Sequence, residues 1–410
     1  MRVVVIGGGA AGIFCAGLVA EGGNECILLE KNERIGKKLY ITGKGRCNVT
    51  HYCTARDFLE GVVTNAKFLT SAIYQFPPQS TIDFLESHGV PTKVERGDRV
   101  FPVSDKANDI ISAFEKFARS NGVQIKLNTM VKDIVVEDGK IVGVKTDNGF
   151  IPCDRVVVAT GGKSYSSTGS TGDGYILANR LGHDIVEPKP ALSALIARGV
   201  DGLAGLSLKN VTATAIVDGK TIDCHFGEML FTHDGLSGPI ILTLSSLINR
   251  YYKGGKFNAQ VKVAIDLKPA LDEAQLDGRL LRDFSANPNC AIKNVLTSLM
   301  PKSLIPIVLS GSQIPPTLTV NSVTKAQRAR LLTTIKHLTF DIEDMARLDF
   351  AIVTKGGVDV SQINPKTMES KLVEGLYFVG EVLDVDAYTG GYNVQIALST
   401  AVSAAKACIE

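Results

Sequence analysis

Gly7, Gly9 and Gly12 stand in the spacing G-x-G-x-x-G, and Glu30 follows them by the length of a helix and a strand. Together they can hold an adenine dinucleotide. Gly7 permits a tight turn, Gly9 lets backbone approach a pyrophosphate, and Gly12 lets a helix pack closely on the strand before it. The helix start offers free N–H groups to phosphate charge, and Glu30 is placed to accept hydrogen bonds from ribose hydroxyls. The elements that must position these residues lie around them. Val3-Val4-Val5-Ile6 reads as a first strand, a helix-length stretch begins near Ala10, and Ile27-Leu28-Leu29 is a second strand closed by Glu30. The glycines alone would be a weak signal; strand, glycines, helix, strand and terminal acid together are a specific one. A secretory signal peptide competes for the same apolar start, and the glycines in its middle argue against it.

Three further stretches have ligand-binding composition. Gly36 to Asn48 (GKKLYITGKGRCN) is too polar for core and too rich in glycine for a regular helix. It reads either as a surface loop or as a backbone cradle with cations beside a phosphate. Ala159-Thr160-Gly161-Gly162 ends a buried strand in small residues, which suits close approach of a ligand at the C-terminal edge of a sheet. Glu381 follows the glycine-ended strand Gly375 to Gly380, and Gly390-Gly391 opens a last helix, Tyr392 to Cys408.

The bulk composition sets limits. The chain has 410 residues, 44 Lys and Arg against 42 Asp and Glu, and 45% apolar residues. This suits a globular protein of two or three domains and carries no basic footprint for nucleic acid. No stretch is long and apolar enough to span a bilayer. The eight cysteines are scattered without a CxxC pair, so a reducing cytoplasm is the expected location.

The fold expected is α/β: a discontinuous Rossmann-like dinucleotide-binding domain with a β-meander, plus an inserted β-rich domain carrying a small helical subdomain. Ser104 to Asn121 has a helix's apolar face at Ile110, Ile111, Phe114, Phe117 and Ala118. Asp138-Gly139 and Asn148-Gly149 are turns of a three-stranded meander. Pro188 and Pro190 mark a change of character, after which short alternating strands run to Leu267. The segments ALDEAQLDGRLLRDF, IKNVLTSLM and KAQRARLLTTIKHL are helical. The domain boundaries expected are residues 1–189 for the first part of the dinucleotide domain, 190–267 for the β-rich insert, 268–338 for the helical subdomain, 339–354 for the closing part of the insert and 355–410 for the return.

GKKLYITGKGRCN, RVFPVSDKANDI, ATGGKSYSSTGSTGDGY, EMLFTHDGLSGPIIL and TMESKLVEGLYFVGEVLDVDAYTGGYNVQIALST resemble, in order and across the whole chain, the blocks of the BaiN-like flavoprotein family, which includes aminoacetone oxidases. The resemblance implies FAD as cofactor. It implies Ala11 and its glycines under the pyrophosphate, and Glu30 on the adenosine ribose with Lys31 beside it. Lys37, Lys38 and Gly43 would flank the adenosine and phosphates. Gly45, Arg46 and Asn48 would run toward the isoalloxazine, and Val131 would meet the adenine through its backbone. Ala159, Thr160 and Gly161 join the cofactor-binding set. So do Gly380 and Glu381, the latter at the ribityl or pyrophosphate region. Asn393 and Val394 would point N–H groups at the flavin N1–C2=O edge, where a helix start stabilises the charge of the reduced ring.

The catalytic side is less legible. His233, Tyr388, Tyr392 and Arg46 are the substrate-side candidates, each with a packing or capping role as its plain alternative, and no metal site is expected. The leading reading is an oxidase of a small amine such as aminoacetone, acting on a small-molecule substrate with O2 or NAD(P)H as electron partner. The alternatives are an NAD(P)H-driven reductase of an activated double bond and a tRNA-modifying flavoprotein. Neither a nucleic-acid partner nor a membrane is expected. The β-rich insert is expected to cover the flavin.

Overall fold

A computed structural model describes residues 1–410. Strand β1 (Arg2–Ile6) is the centre of a five-stranded parallel sheet. Its neighbours are β2 (Glu25–Leu29), then Gln124–Lys126, on one side and Arg155–Val158, then Leu376–Phe378, on the other. Val4 stands opposite both Ile27 and Val156. The inner strands carry apolar runs, Val3–Ile6, Ile27–Leu29 and Val156–Val158, because both faces of a parallel sheet are buried, while the edge strand Gln124–Lys126 is polar at both ends.

Helix α1 (Ala10–Glu21) is buried on nearly every side. Phe14, at its centre, meets Phe76, Phe84, Phe114 and Phe117 with ring centroids 4.9 to 6.2 Å apart. The expected amphipathic helix runs Ala107–Ser120 and buries the five apolar residues that announced it. The meander is present as Val131–Glu137, Lys140–Thr146 and Gly149–Pro152, antiparallel throughout. No helix is long and apolar enough to cross a membrane.

The chain divides into two compact units, residues Met1–Ala191 with Arg347–Glu410, and residues Leu192–Ala346. The first unit regains the chain before residue 355. Val353–Val358 is already one of its strands, antiparallel to Ile185–Ala191.

The second unit is a closed six-stranded barrel, in the order 195–197, 235–237, 220–231, 207–217, 261–266 and 338–345. Along Ser207–Val217 the buried residues Val211, Ala213, Ala215 and Val217 alternate with more exposed ones, as a half-buried strand requires. Two of its helices, Glu273–Ala286 and Lys325–Lys336, start in capping boxes at Asp272 and Thr324. Leu276, Leu280, Leu331 and Ile335 from these helices share one apolar core with Val263, Ile265 and Phe340 of the barrel.

Two stretches differ from the sequence reading. Pro239–Ile248, expected among strands, is a helix with proline in its first turn. It buries Ile240, Ile241, Leu244 and Ile248, a helical spacing that was present in the sequence among the surrounding strand signals. Within Gly36 to Asn48, expected to have no regular helix, Lys37–Ile41 forms a short one followed by a 3-10 turn at Thr42–Gly45.

Candidate functional site

The turn after β1 is shaped by contact with the next strand of the sheet. At Gly7 (φ +104°) a Cβ would lie 2.6 Å from the Ala159 carbonyl oxygen, and at Gly12 it would lie 1.9 Å from the Gly7 carbonyl oxygen. At Gly9 it would meet open space. Helix α1 begins there with no side-chain cap and no acid in its first turn. Its leading N–H groups therefore remain available to an anion.

Glu30 is 7% exposed. Its carboxylate accepts from the Gly8 N–H at 2.7 Å, the Asn32 N–H at 2.8 Å and the Asn32 amide at 2.6 Å. A carboxylate has about four acceptor sites, so a ribose hydroxyl can still be received. Its backbone carbonyl accepts from Thr129 N at 2.9 Å, which brings the entry to the meander, and Val131 two residues on, beside the same acid. Val131 itself is buried.

The cations of the set are all partnered. Lys31 reaches Asp173 and Thr171, each at 2.5 Å, and Lys37 reaches Glu33 at 3.3 Å. Lys38 donates to Glu381 at 2.6 Å and to Ser164 at 2.7 Å. Glu381 also accepts from Thr354 N at 2.9 Å. Lys38 and Glu381, far apart in the chain, thus form one ion pair at the C-terminal edge of the parallel sheet. A Cβ on Gly161 would lie 3.9 Å from Glu381 Oε2, and one on Gly380 would lie 3.1 Å from Ala11 Cβ. So Ala159 to Gly161, Gly380, Glu381, Lys38 and the β1–α1 turn share one place. Thr160 points its hydroxyl inward, where it is buried without a partner.

A second helix start is built nearby in the same unit. The C-terminal helix, Tyr392–Ile409, begins at Gly391 (φ +96°), again with neither a side-chain cap nor an acid in the first turn. A Cβ on Gly391 would lie 2.3 Å from the Thr50 carbonyl oxygen. Asn393 is clamped to the segment before it. Its side chain accepts from Ala387 N at 3.1 Å and donates to Ala387 O at 3.0 Å. Buried Gln395 takes hydrogen bonds from Thr50 at 2.6 Å and Thr81 at 2.7 Å. Asn48 is buried as well, its amide on Thr50 O and Val100 O at 3.0 and 2.9 Å. The leading N–H groups of the helix, Val394 included, stay uncommitted.

Gly43, Lys44, Gly45 and Cys47 all have positive φ, so the loop from Thr42 to Asn48 is tightly wound. Arg46 binds Glu95 and Asp105 and lies over the Phe101 ring at 4.2 Å. Those carboxylates raise its pKa, and it in turn helps depress theirs. Cys47 is fully buried, and desolvation pushes its thiol up to about 12, which makes it inert.

Of the substrate-side candidates, Tyr392 is packed between His51 and Phe58 at 4.6 and 4.7 Å, and burial pushes its phenol pKa up. Tyr388 donates its backbone N–H to Gly61 O at 2.9 Å. His233 belongs to the other unit, exposed in the turn between Lys220–Phe231 and Gly235–Ser237.

The sequence reading missed several members. Ser164, Thr354, Asn32 and Gln395 are ordinary polar residues whose partners are remote. Asp384 and Asp386 are buried acids, and burial pushes both pKa values up. Their signal was present in Leu383-Asp384-Val385-Asp386-Ala387, two acids alternating with apolar residues on one face of an extended segment.

The HI0933-like protein Rossmann domain family matches residues 1–407. A protein of Clostridium scindens named 3-dehydro-bile acid delta(4,6)-reductase is 32% identical across 100% of this chain and 99% of its own. The ribosomal RNA dihydrouridine synthase of Escherichia coli is 31% identical, with 98% and 96% covered. Among solved structures, a 3-ketosteroid-delta4-(5alpha)-dehydrogenase of Rhodococcus jostii covers 100% of this chain and 96% of its own, with TM-score 0.54 and 14% identity. That last likeness is one of fold. By its full-length family match and these relatives, the chain belongs to the HI0933-like Rossmann family, the BaiN-like family of FAD-dependent oxidoreductases.

Proposed function

We propose that this protein is a reductase that adds hydrogen across a carbon–carbon double bond conjugated to a carbonyl, drawing electrons from NAD(P)H through noncovalently bound FAD. The residues present fit that cofactor. The open space at Gly9 and the uncapped start of α1 suit its pyrophosphate. Glu30 suits the adenosine ribose, Val131 the adenine, and Glu381 with Lys38 the ribityl side. Bound there, FAD supplies hydride transfer.

The observation that carries the reading is the start of the C-terminal helix. It is uncapped, free of acids and bolted to Thr50 through Gln395. A helix start held so rigidly stabilises negative charge beside it. Asn393 orients that start by gripping Ala387, while Arg46 steadies the loop on its other flank through Glu95 and Asp105.

The direction of flow rests on the relatives. A delta(4,6)-reductase and a dihydrouridine synthase are both named for saturating a double bond. Uridine in ribosomal RNA is the second reading of the substrate, favoured by two relatives at 31% identity. The near-neutral charge of +2 favours a small enone instead. Oxidation of a small amine rests on the family resemblance alone.

Anaerobic mixing tests this. NADH or NADPH is expected to bleach the flavin, and an α,β-unsaturated ketone to restore its colour with formation of the saturated ketone. Restoration by undermodified ribosomal RNA, with dihydrouridine found by mass analysis of nucleosides, would select the RNA reading. Bleaching by aminoacetone but not by NAD(P)H, with peroxide released in air, would overturn the reductase.

A further inference from the structure

Asp386 has no exposed surface, and its carboxyl oxygens make no hydrogen bond of good geometry. It stands opposite Thr64 in a short antiparallel pairing with Val62–Thr64, and the buried Thr64 hydroxyl faces it as a weakly aligned donor. The charged groups that face it are Lys355, from the strand Val353–Val358, and Asp384 on its own segment. Asp384 is 9% exposed, accepts from the Asn65 amide at 3.1 Å, and lines an open cleft of about 530 Å³ with Lys67, Asp359 and Lys371.

A carboxylate so buried and so poorly hydrogen-bonded is strongly disfavoured relative to its neutral acid. Desolvation accordingly pushes the pKa of Asp386 up, with Lys355 and Thr64 opposing. The neighbour of Asp386, Ala387, is gripped at both its N–H and its carbonyl by Asn393, the second residue of the C-terminal helix. A negative charge on Asp386 would therefore sit just behind a helix start that carries no other acid, and would cancel part of its positive potential.

We propose that Asp386 is a positioning residue held protonated, and that its neutral state lets the start of the C-terminal helix favour the reduced cofactor. Loss of its proton weakens that preference. The O–H bond of Asp386 breaks, the proton passes to solvent water, and no electron moves in that step. This rests on the reading that FAD lies against that helix.

Two measurements on the full-length protein test it, with Asp386→Asn as the neutral isostere. The first is thermal melting against pH, with and without FAD. A carboxyl whose folded pKa is raised loses stability as pH climbs from the unfolded value near 3.9 through the folded one. The variant should melt higher than the wild type at pH 8, and the gap should close by pH 4. The second is the midpoint potential of bound flavin against pH. The wild type should fall below the variant at alkaline pH by about 30 mV, a tenfold loss of preference for the reduced state in a two-electron couple. The two should converge at low pH.

Parallel melting profiles at every pH would mean that folding leaves the Asp386 pKa unshifted, and would overturn the proposal. Divergent melting with superimposable potential curves would overturn it too, by showing a neutral Asp386 that is not felt at the cofactor. A chain that takes up no FAD at all would remove the cofactor reading first, and with it this one. Should Asp386→Asn fail to fold, a second variant, Asp386→Ser, takes its place on the same criteria.

Discussion

The first unit contains two helix starts of the same kind made in different ways. Helix α1 and the C-terminal helix both begin at glycine, without a side-chain cap and without an acid in the first turn. The start of α1 is assembled mainly from neighbours in sequence: β1, the glycine turn and β2 with Glu30 all lie within the first 30 residues, with Ala159 closing on Gly7 from the adjacent strand end. The start of the C-terminal helix depends on remote partners. Thr50 presses on Gly391 and bonds Gln395, Thr81 bonds Gln395, and Phe76 O receives the Gln395 amide at 3.0 Å. A locally encoded anion site survives the loss of one contact. A site assembled from afar depends on every strut.

The sharpest way to break this contrast is at Gly391. Gly391→Ala forces a Cβ against the Thr50 carbonyl at a φ that L-residues rarely adopt, which should cost on the order of 3 kcal/mol. Chemical denaturation would read it, and FAD retention should fall with it. A loss below 1 kcal/mol would mean that the helix start can move off Thr50, which removes the rigidity argued for it.

Glu30→Ala tests the local site. Charged hydrogen bonds from a ribose contribute about 1.5–3 kcal/mol, so FAD affinity should drop roughly ten- to a hundredfold. The apoprotein should also lose some stability, because Gly8 N–H and Asn32 lose their acceptor. Equilibrium dialysis separates the effects, and unchanged affinity would take Glu30 out of the cofactor site.

Gln395→Leu sits between these. It strands the Thr50 and Thr81 hydroxyls and should cost about 1–3 kcal/mol while leaving α1 intact. If FAD binding weakens in proportion to that loss, the two helix starts act together on one ligand. If it does not, the C-terminal helix start is structural only.

The smallest effect is expected at Arg46. Its ion pairs with Glu95 and Asp105 are substantially exposed, so Arg46→Met should change stability little. A large rise in KM without a change in melting would show Arg46 reaching substrate after all. An unchanged KM would leave it as a brace for the loop.

How much was legible follows the same division. The parallel sheet, the meander and the amphipathic helix at Ala107–Ser120 were readable because each repeats a local signal: an apolar run, a turn dipeptide, a helical period. Pro239–Ile248 was misread because its helical spacing at Ile240, Ile241, Leu244 and Ile248 is short and lies among strand signals. Lys31 and Lys38 read as cations for a phosphate because nothing local reveals that Asp173 and Glu381, from distant segments, answer them, whereas the Glu33 partner of Lys37 lies four residues away and was open to view.

By itself the sequence determined that this chain makes a dinucleotide-type turn and where it makes it. Gly7, Gly12 and Glu30 belong to one supersecondary unit, whose turn geometry and spacing are written in adjacent residues, although Ala159 and Thr129 also close on it. Only the tertiary structure decided that Lys38 meets Glu381, that Thr50 fixes the start of the C-terminal helix, and that Asp386 lies buried beside its clamp. Those outcomes come from the return of the chain to the same sheet after the intervening unit. Burial and charge pairing are properties of what surrounds a residue, and the sequence neighbours of a residue are only a small part of its surroundings.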